Sequence, residues 1–177
     1  ELAMKPRSHA PIHGMVTPLV TPFCDGELDV GALQRLTLRV LDQGRSHGLM
    51  LLGTTGEGPL LSPTLARRVV ATVAPLARER SRLIVNVSQA DLETVLERAA
   101  MAADHGAHAV ALNPPWYFRV GDEELIRWCQ ATARASPLPV VLYNMPSHVP
   151  GAFNQAVYRR LAEEPTIIGV KDSGGDW

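Results

Sequence analysis

One lysine and one tyrosine stand at the ends of two apolar runs in the last third of the sequence. Lys171 ends the run 167–171, and Tyr143 lies one residue before the end of the run 140–144. A lysine amine that burial among apolar side chains keeps neutral is a nucleophile, which can attack a ketone carbonyl and form a Schiff base. A phenol can donate and accept the protons that forming and dehydrating the carbinolamine requires. The two residue types therefore point to carbonyl chemistry, with an imine as the electron sink for making or breaking a carbon–carbon bond.

A structural explanation stays open for each of these two residues. A lysine at a strand end can reach water or pair with the neighbouring Asp172, and a buried tyrosine can tie its hydroxyl to the backbone. If Ile168 and Val170 pack beneath helices, strand parity places Lys171 on the opposite, inner side, as the chemical explanation requires. Tyr143 can face the same side from the preceding strand, so the two side chains could lie close together.

A short glycine-rich loop offers groups that suit an anion. Thr54 and Thr55 stand between Gly53 and Gly56, and they supply two hydroxyls and a turn of exposed N–H groups, which can hold a carboxylate. The loop lacks the Gly-Lys-Ser or Gly-Lys-Thr ending of a nucleotide-binding loop. Taken alone, it is also compatible with an ordinary turn.

These residues belong to an alternation of short apolar runs and longer stretches of helical period. The runs are nearly continuous in apolar residues, which is typical of parallel strands covered by helices. Ser62 followed by Pro63, Asp29 and Asp91 mark helix starts, and Gly106 marks a helix end. The pattern predicts repeated βαβ units. The predicted strands are 15–21, 49–54, 83–87, 109–113, 140–144 and 167–171.

Two architectures fit repeated βαβ units, an open doubly wound α/β sheet and a (β/α)₈ TIM barrel. The first predicted strand is not followed by a glycine-rich dinucleotide turn, which favours the barrel. The 177 residues contain six of the eight strands, whereas a barrel takes about 200 residues or more. We therefore expect a partial (β/α)₈ barrel over residues 13–177, truncated after strand 6. Residues 1–12 are expected to form an N-terminal tail, whose start at Glu1 is compatible with a cloning remnant before Met4.

Composition and charge argue against several classes of protein. Seventeen basic and eighteen acidic side chains give a formal charge of -1, and no basic run is present, so nucleic acid is not expected as a partner. No stretch is apolar enough to span a membrane, and the N-terminus lacks the apolar core of a signal peptide. Cys24 and Cys129 have neither disulfide-framework nor metal-site spacing, so a reducing, cytoplasmic location is expected.

Metal ions and other cofactors are not expected either. His105 and His108 are three residues apart but straddle a predicted helix end, and no third ligand accompanies them. Asp122, Glu123 and Glu124 fall in the first turn of a predicted helix, where the helix dipole favours negative charge without any catalytic role.

Four strand ends together resemble the signature segments of the dihydrodipicolinate synthase and N-acetylneuraminate lyase superfamily of class I aldolases. One segment alone would be weak evidence, but all four occur in the expected order and spacing over residues 14–177. The resemblance implies a (β/α)₈ barrel that acts on pyruvate or another 2-oxo acid, with an aldehyde as a second substrate and a homotetramer as the usual assembly. The segments are Gly53-Thr54-Thr55-Gly56-Glu57, Pro114-Pro115-Trp116-Tyr117, Tyr143-Asn144-Met145-Pro146 and Gly169-Val170-Lys171-Asp172.

The resemblance also implies roles for five residues of this sequence. Lys171 matches the lysine that forms the Schiff base, and Tyr143 matches the tyrosine that relays protons to and from it. Thr54 matches the hydroxyl that links the relay, while Thr55 and the N–H groups of the same turn would bind the carboxylate of the 2-oxo acid. Tyr117 matches the tyrosine that, in many members, completes the site of a neighbouring subunit.

One departure from the family pattern concerns the second substrate. Dihydrodipicolinate synthases carry an arginine two residues after the proline of the third segment, but this chain has His148 there. Imidazole lacks the planar fork that binds a second carboxylate, so lysine biosynthesis is disfavoured and His148 is a candidate for substrate binding. A histidine with only a surface role stays open.

The sequence therefore predicts a lyase, a class I aldolase that makes or cleaves a carbon–carbon bond of a 2-oxo acid. Two alternatives remain. One is a sugar-acid dehydratase of the same superfamily, which would use the same lysine chemistry. The other is a non-catalytic relative that keeps the barrel and binds a partner without turnover.

Overall fold

The structure is a computed structural model that describes residues 11–44 and 46–175. The first ten residues of the predicted tail lie outside the described residues. None of the described helices is both long and apolar enough to cross a membrane. In chain order the elements of the described part are β1 (Val16–Pro18), β2 (Phe23–Cys24), β3 (Glu27–Leu28), α1 (Val30–Gln43), β4 (Gly48–Leu51), a 3₁₀ turn (Gly58–Leu60), α2 (Pro63–Ala77), β5 (Arg82–Asn86), α3 (Leu92–Asp104), β6 (Ala109–Leu112), α4 (Asp122–Ala135), β7 (Val140–Asn144), α5 (Gln155–Leu161) and β8 (Ile167–Asp172).

Three helices begin at the capping residues that the sequence predicts. The side chains of Asp29, Ser62 and Asp91 each accept a hydrogen bond from the backbone N–H three residues later. Such a cap satisfies one of the free N–H groups of the first turn and contributes about 1 kcal/mol. Gly106 follows the end of α3 with a φ of 81°, the left-handed conformation that terminates many helices. These four boundary predictions are confirmed.

Six strands form one parallel sheet in the order β1, β4, β5, β6, β7, β8, with a helix between each strand and the next. This is the order of a (β/α)₈ barrel, so the prediction of a partial barrel is confirmed. All six predicted strands are present. The largest errors are at the ends of the first two predicted strands, which were predicted to reach residues 21 and 54 but end at Pro18 and Leu51.

The two faces of the sheet carry different apolar clusters. On the outer face, Leu83 and Val85 belong to the main core, which the helices complete. On the inner face, Ile84 belongs to a smaller cluster with Met50 and Tyr143 that lines the lumen of the barrel. Because successive side chains of a strand alternate between faces, this parity directs Tyr143 into the lumen.

Lys171 faces the lumen as well. The sequence made this orientation conditional on Ile168 and Val170 packing beneath helices, and that condition is not met, since the two side chains are 44% and 49% exposed. The register of the sheet places Lys171 opposite Tyr143 on the neighbouring strand. Paired residues of adjacent strands share a face, so the two side chains project to the same side.

A two-stranded hairpin between β1 and α1 was not predicted. Cys24 pairs with Glu27, and the two residues between them, Asp25 and Gly26, have φ angles of 51° and 81°. An Asp-Gly pair is a strong signal for a two-residue hairpin turn, because both positions need positive φ. That signal was present in the sequence.

Candidate active site

The lysine and the tyrosine at the strand ends lie against each other. The Nζ atom of Lys171 is 3.6 Å from the ring centroid of Tyr143, and it donates a hydrogen bond to the Ser173 hydroxyl at 2.9 Å. The alternative in which Lys171 pairs with Asp172 is wrong for the described residues. Asp172 instead accepts a hydrogen bond from the Asn144 amide at 2.6 Å. The amine is therefore held beside the phenol without a carboxylate partner among the described residues.

Asp172 anchors the turn that follows the lysine. The Asn144 amide, and then the backbone N–H groups of Gly174 and Gly175, hold the pKa of Asp172 below its usual value, although some burial opposes them. The carboxylate thus stays ionised and ties the end of β8 to the end of β7. Asn144 also accepts a hydrogen bond from the Phe153 N–H at 3.4 Å. These contacts support the strand ends that carry Lys171 and Tyr143.

The Tyr143 hydroxyl contacts a residue that follows a distant strand of the same sheet, β4. Its oxygen lies 3.1 Å from Oγ1 of Thr54, and the Tyr143 side chain is only 3% exposed. Burial raises the pKa of Tyr143, but the Lys171 ammonium and the Thr54 hydroxyl outweigh burial, so the pKa lies below its usual value. A phenol with a lowered pKa transfers its proton more readily, which suits a proton relay.

The Thr54–Thr55 loop is an irregular segment held in a strained conformation. Leu52 and Glu57 have φ angles of 59° and 53°, and the Gly53 carbonyl accepts hydrogen bonds from the N–H groups of Gly56 and Gly58. Conformations of this kind cost free energy and persist only where the surroundings impose them. Among the described residues, the N–H groups of Thr54 and Thr55 have no hydrogen-bond partner, so this turn can receive an anion.

A buried arginine holds the end of this loop by hydrogen bonds to backbone carbonyls. Arg98 of α3 is 6% exposed and donates hydrogen bonds to the carbonyls of Gly58 at 3.3 Å and Leu61 at 3.0 Å. Desolvation lowers the pKa of its guanidinium, and no carboxylate pairs with it among the described residues. Sequence reasoning missed this residue. Arg98 lies three residues after the buried Val95 and four residues before the buried Ala102, and this helical spacing was the signal that could have predicted its burial.

We expect Gly58→Ala to destabilise the protein by about 2–4 kcal/mol, because a Cβ at this position would overlap the backbone carbonyl of Leu52. Gly31→Ala in α1 is the matched control, since its Cβ would meet the flexible end of Arg35 and, at ordinary contact distance, the Asp29 carboxylate, and alanine favours a helix. Urea unfolding of the two variants measures the difference. Equal free energies of unfolding would show that the loop has room for a side chain.

A second cavity, of about 420 Å³, opens beside Thr54. His148 lies on its lining and is exposed, and its Nδ1 is 2.9 Å from the Ser147 hydroxyl. The lining holds one carboxylate, two amides and an imidazole, and no arginine or lysine of the described residues belongs to it. A larger cavity of about 550 Å³ is the apolar lumen that Lys171 enters. The lining of the smaller cavity is Thr54, Glu57, Pro59, Leu60, Asn86, Asn113, Trp116, Met145, His148 and Val149.

Tyr117 and Thr55 are not part of the buried cluster within one chain. Tyr117 is 83% exposed, has a φ of 70°, and contacts Phe118 edge to face at 5.0 Å. Thr55 is exposed at the tip of its loop. The structure thus brings together Lys171, Tyr143 and Thr54, and leaves Tyr117 facing outward.

No group of three or more His, Cys, Asp or Glu side chains in residues 11–44 and 46–175 could hold a metal ion. The two histidines that the sequence raised have structural partners. The Nδ1 atom of His105 is 2.8 Å from the Met101 carbonyl, and Nδ1 of His108 accepts a hydrogen bond from the Leu83 N–H.

Comparisons with known proteins agree with the fold. The sequence pattern of the Dihydrodipicolinate synthetase family matches residues 11–177. The 4-hydroxy-tetrahydrodipicolinate synthase 2 of Streptomyces coelicolor is 35% identical over 167 residues, which is 94% of this chain and 56% of the relative. The dihydrodipicolinate synthase of Acinetobacter baumannii, whose crystal structure contains pyruvate, is 32% identical with a TM-score of 0.90, covering 94% of this chain and 57% of its own.

A more distant neighbour is similar in fold alone. The protein CdNal of Clostridium difficile, in complex with mannosamine, has a TM-score of 0.90 at 23% identity, covering 94% of this chain and 58% of its own. In each comparison the chain spans little more than half of the length of the protein it matches.

Proposed function

The chain belongs to the Dihydrodipicolinate synthetase family, and on that premise we propose that the full-length protein is a lyase, a class I aldolase that binds pyruvate or a related 2-oxo acid on Lys171. The observation that carries the proposal is the convergence of an amine, a phenol and a hydroxyl. Lys171, Tyr143 and Thr54 come from three different strand ends, and Tyr143 contacts each of the other two. Strand ends of this kind are where α/β barrels carry their reactive groups.

The geometry supports a sequence of proton and bond transfers. The Lys171 amine attacks the ketone carbon of the 2-oxo acid, and the carbonyl oxygen takes a proton to give a carbinolamine. Tyr143 donates a proton to the departing hydroxyl group, water leaves, and a protonated imine forms beside the phenolate. The phenolate, which the Thr54 hydroxyl contacts at 3.1 Å, then takes a proton from the carbon next to the imine to give an enamine. The enamine attacks an aldehyde, whose oxygen takes that proton back from the phenol, and the reverse order of steps cleaves that bond.

The Thr54–Thr55 turn suits the carboxylate of the 2-oxo acid. Its N–H groups and the exposed Thr55 hydroxyl are donors, and an anion held by them would place the adjacent ketone toward the lumen that Lys171 enters. The pyruvate complex of the Acinetobacter baumannii relative supports pyruvate as the first compound to test.

Borohydride trapping tests the proposal directly. We expect the full-length protein, mixed with pyruvate and sodium borohydride, to gain one reduced adduct that peptide mass spectrometry places on Lys171. A 2-hydroxy acid in place of pyruvate is the control, because it has no ketone to attack. A folded full-length protein that gains no adduct at Lys171 would favour a non-catalytic relative.

The second cavity favours an uncharged, hydroxylated second compound over one with another carboxylate. Glu57 and His148 line it and can bind hydroxyls, whereas a carboxylate would meet Glu57 with no arginine or lysine of the described residues in the lining. This lining also supports a sugar-acid dehydratase as the second candidate. Release of water from a trapped sugar acid, without a new carbon–carbon bond, would distinguish the dehydratase from the aldolase.

Tyr117 is proposed to act in the site of a neighbouring copy in a homotetramer. Its exposure and its strained backbone fit a side chain that projects from its own subunit. We expect Tyr117→Phe and Lys171→Ala to be inactive separately but to recover turnover when mixed and allowed to exchange subunits. In the hybrid, one subunit supplies the lysine and its neighbour supplies the tyrosine.

Turnover measured after the two variants are mixed checks this recovery. Sedimentation shows whether hybrid oligomers form. Recovery is expected only above the concentration at which the oligomer assembles. Hybrids that form without regaining activity would place Tyr117 outside the site.

A further inference from the structure

Three buried polar residues, Asn86, Ser88 and Asn113, form a hydrogen-bonded network next to the candidate site. Ser88 is 2% exposed, and its Oγ lies 2.6 Å from Oδ1 of Asn86 and 3.0 Å from Oδ1 of Asn113. The same oxygen accepts a hydrogen bond from the backbone N–H of Asn113 at 2.8 Å. Because the hydroxyl has one proton, Ser88 links the two residues by donating to the nearer Asn86 oxygen and accepting from the Asn113 N–H.

The outer ends of this network reach the strands that carry Thr54 and Tyr143. The Asn86 amide donates to the carbonyl of Leu52 at 3.0 Å, two residues before Thr54. The Asn113 amide donates to the carbonyl of Tyr143 at 2.7 Å. Because each amide nitrogen is engaged by a carbonyl, the amide oxygens are directed to the Ser88 hydroxyl. Side chains thus connect the backbone at the end of β4 to the backbone of β7.

Strand pairing cannot make this connection. In the sheet β5 and β6 lie between β4 and β7, so no ladder of backbone hydrogen bonds joins the two strands. The hydroxyls of Thr54 and Tyr143 nevertheless lie 3.1 Å apart across that gap. A small change in sheet curvature would separate them, and proton transfer depends steeply on such a distance.

We propose that Ser88 is a positioning residue, whose hydroxyl sets the separation of the β4 and β7 ends and so keeps Thr54 and Tyr143 in contact. The inference rests on the proposed function, because it concerns the proton relay of that same site. Asn86 and Asn113 line the cavity of about 420 Å³, but Ser88 does not. Ser88 therefore acts through its neighbours rather than on a bound molecule.

Ser88→Ala in the full-length protein tests the proposal. Ser88→Thr keeps the hydroxyl and is the conservative variant. Ser81→Ala is the matched control, because Ser81 is also buried but stands before the opposite end of β5, where its hydroxyl makes only a local 3.3 Å contact with the Arg82 carbonyl. If Ser88→Ala fails to fold, Ser88→Cys replaces it, since a thiol fills the space and is a weaker donor.

Two measurements separate positioning from mere stability. With pyruvate and borohydride alone, we expect Ser88→Ala to trap the adduct about tenfold more slowly at saturating pyruvate, with an unchanged KM for pyruvate. We also expect the Tyr143 phenol to titrate at higher pH, because it has lost the Thr54 hydroxyl while Lys171, the charged group beside it, is unchanged. Ser88→Thr and Ser81→Ala should both behave as the unchanged protein does.

The outcomes distinguish the two proposals. Equal trapping rates and equal phenol titration in Ser88→Ala and Ser81→Ala would overturn the positioning role. A wild-type protein that traps no pyruvate would overturn the proposed function instead. The titration of Tyr143 in Ser88→Ala would still report whether the network holds the two hydroxyls together, because that measurement needs no substrate.

Discussion

Lys171→Ala is expected to abolish the borohydride adduct and to lower turnover at least about a thousandfold, because the imine needs a lysine amine and Lys171 is the one lysine among the described residues. Lys171→Arg should be equally inactive, since a guanidinium keeps the charge but stays protonated and is not a nucleophile. Lys171 is partly exposed at the mouth of the lumen, so we expect both variants to unfold at nearly the same temperature as the unchanged protein. Trapping, turnover and thermal unfolding are measured on each protein.

The sequence offers a matched control for the lysine. Lys5 is the only other lysine of these 177 residues. Lys5→Arg should keep both the adduct and the turnover. An adduct that survives in Lys171→Ala, or one that disappears in Lys5→Arg, would contradict the assignment of the imine to Lys171.

Tyr143→Phe is expected to lower turnover by about two to four orders of magnitude, because the site loses the acid and base for carbinolamine formation. The phenyl ring keeps its place in the lumen cluster, so the fold should persist with a loss of about 1 kcal/mol for the Thr54 hydrogen bond. The adduct on Lys171 should still form, although slowly. Trapping reactions that are quenched at short times measure the rate of adduct formation. A turnover within a factor of about three of the unchanged protein would assign the relay to another group.

The pH dependence of the same phenol provides a second check. The Lys171 ammonium and the Thr54 hydroxyl outweigh burial and lower the pKa of Tyr143, whereas burial and then Asp172 raise the pKa of Tyr158. On raising the pH, Tyr143 should therefore lose its proton before Tyr158. Lys171→Met removes the ammonium, so Tyr143 should then titrate at higher pH.

The difference spectrum between the unchanged protein and Tyr143→Phe isolates this titration. Since the protonated phenol is the proton donor, turnover should begin to fall on the alkaline side where Tyr143 titrates. A Tyr143 that titrates above Tyr158 would contradict the proposed arrangement.

Local sequence determined most of the secondary structure of this protein. The predicted strand 140–144 agrees with β7 at both ends, and the caps at Asp29, Ser62 and Asp91 begin helices as predicted. These features depend on residues within a few positions of each other, through side-chain periodicity and hydrogen bonds of the first helical turn. The Asp25–Gly26 hairpin belongs to the same class, although its signal was missed.

The order of βαβ units also determined the fold class, and the four strand-end segments determined the family. Parallel strands linked by helices bring their carboxyl ends to one edge, so the sequence could predict that reactive groups gather there. It could not give the distances between them. The Thr54–Tyr143 contact joins residues 89 positions apart, and whether two such hydroxyls meet depends on the curvature and register of the whole sheet.

Only the tertiary structure decided which buried polar groups support the site. Arg98 reaches the carbonyl of Gly58 across 40 positions, and Ser88 reaches Asn113 across 25. The sequence around Arg98 and Ser88 does not identify these partners, because a buried donor bonds to whichever acceptor the folded chain brings near it. Chain-local periodicity therefore determined the elements and their order, while packing between distant elements decided which atoms touch.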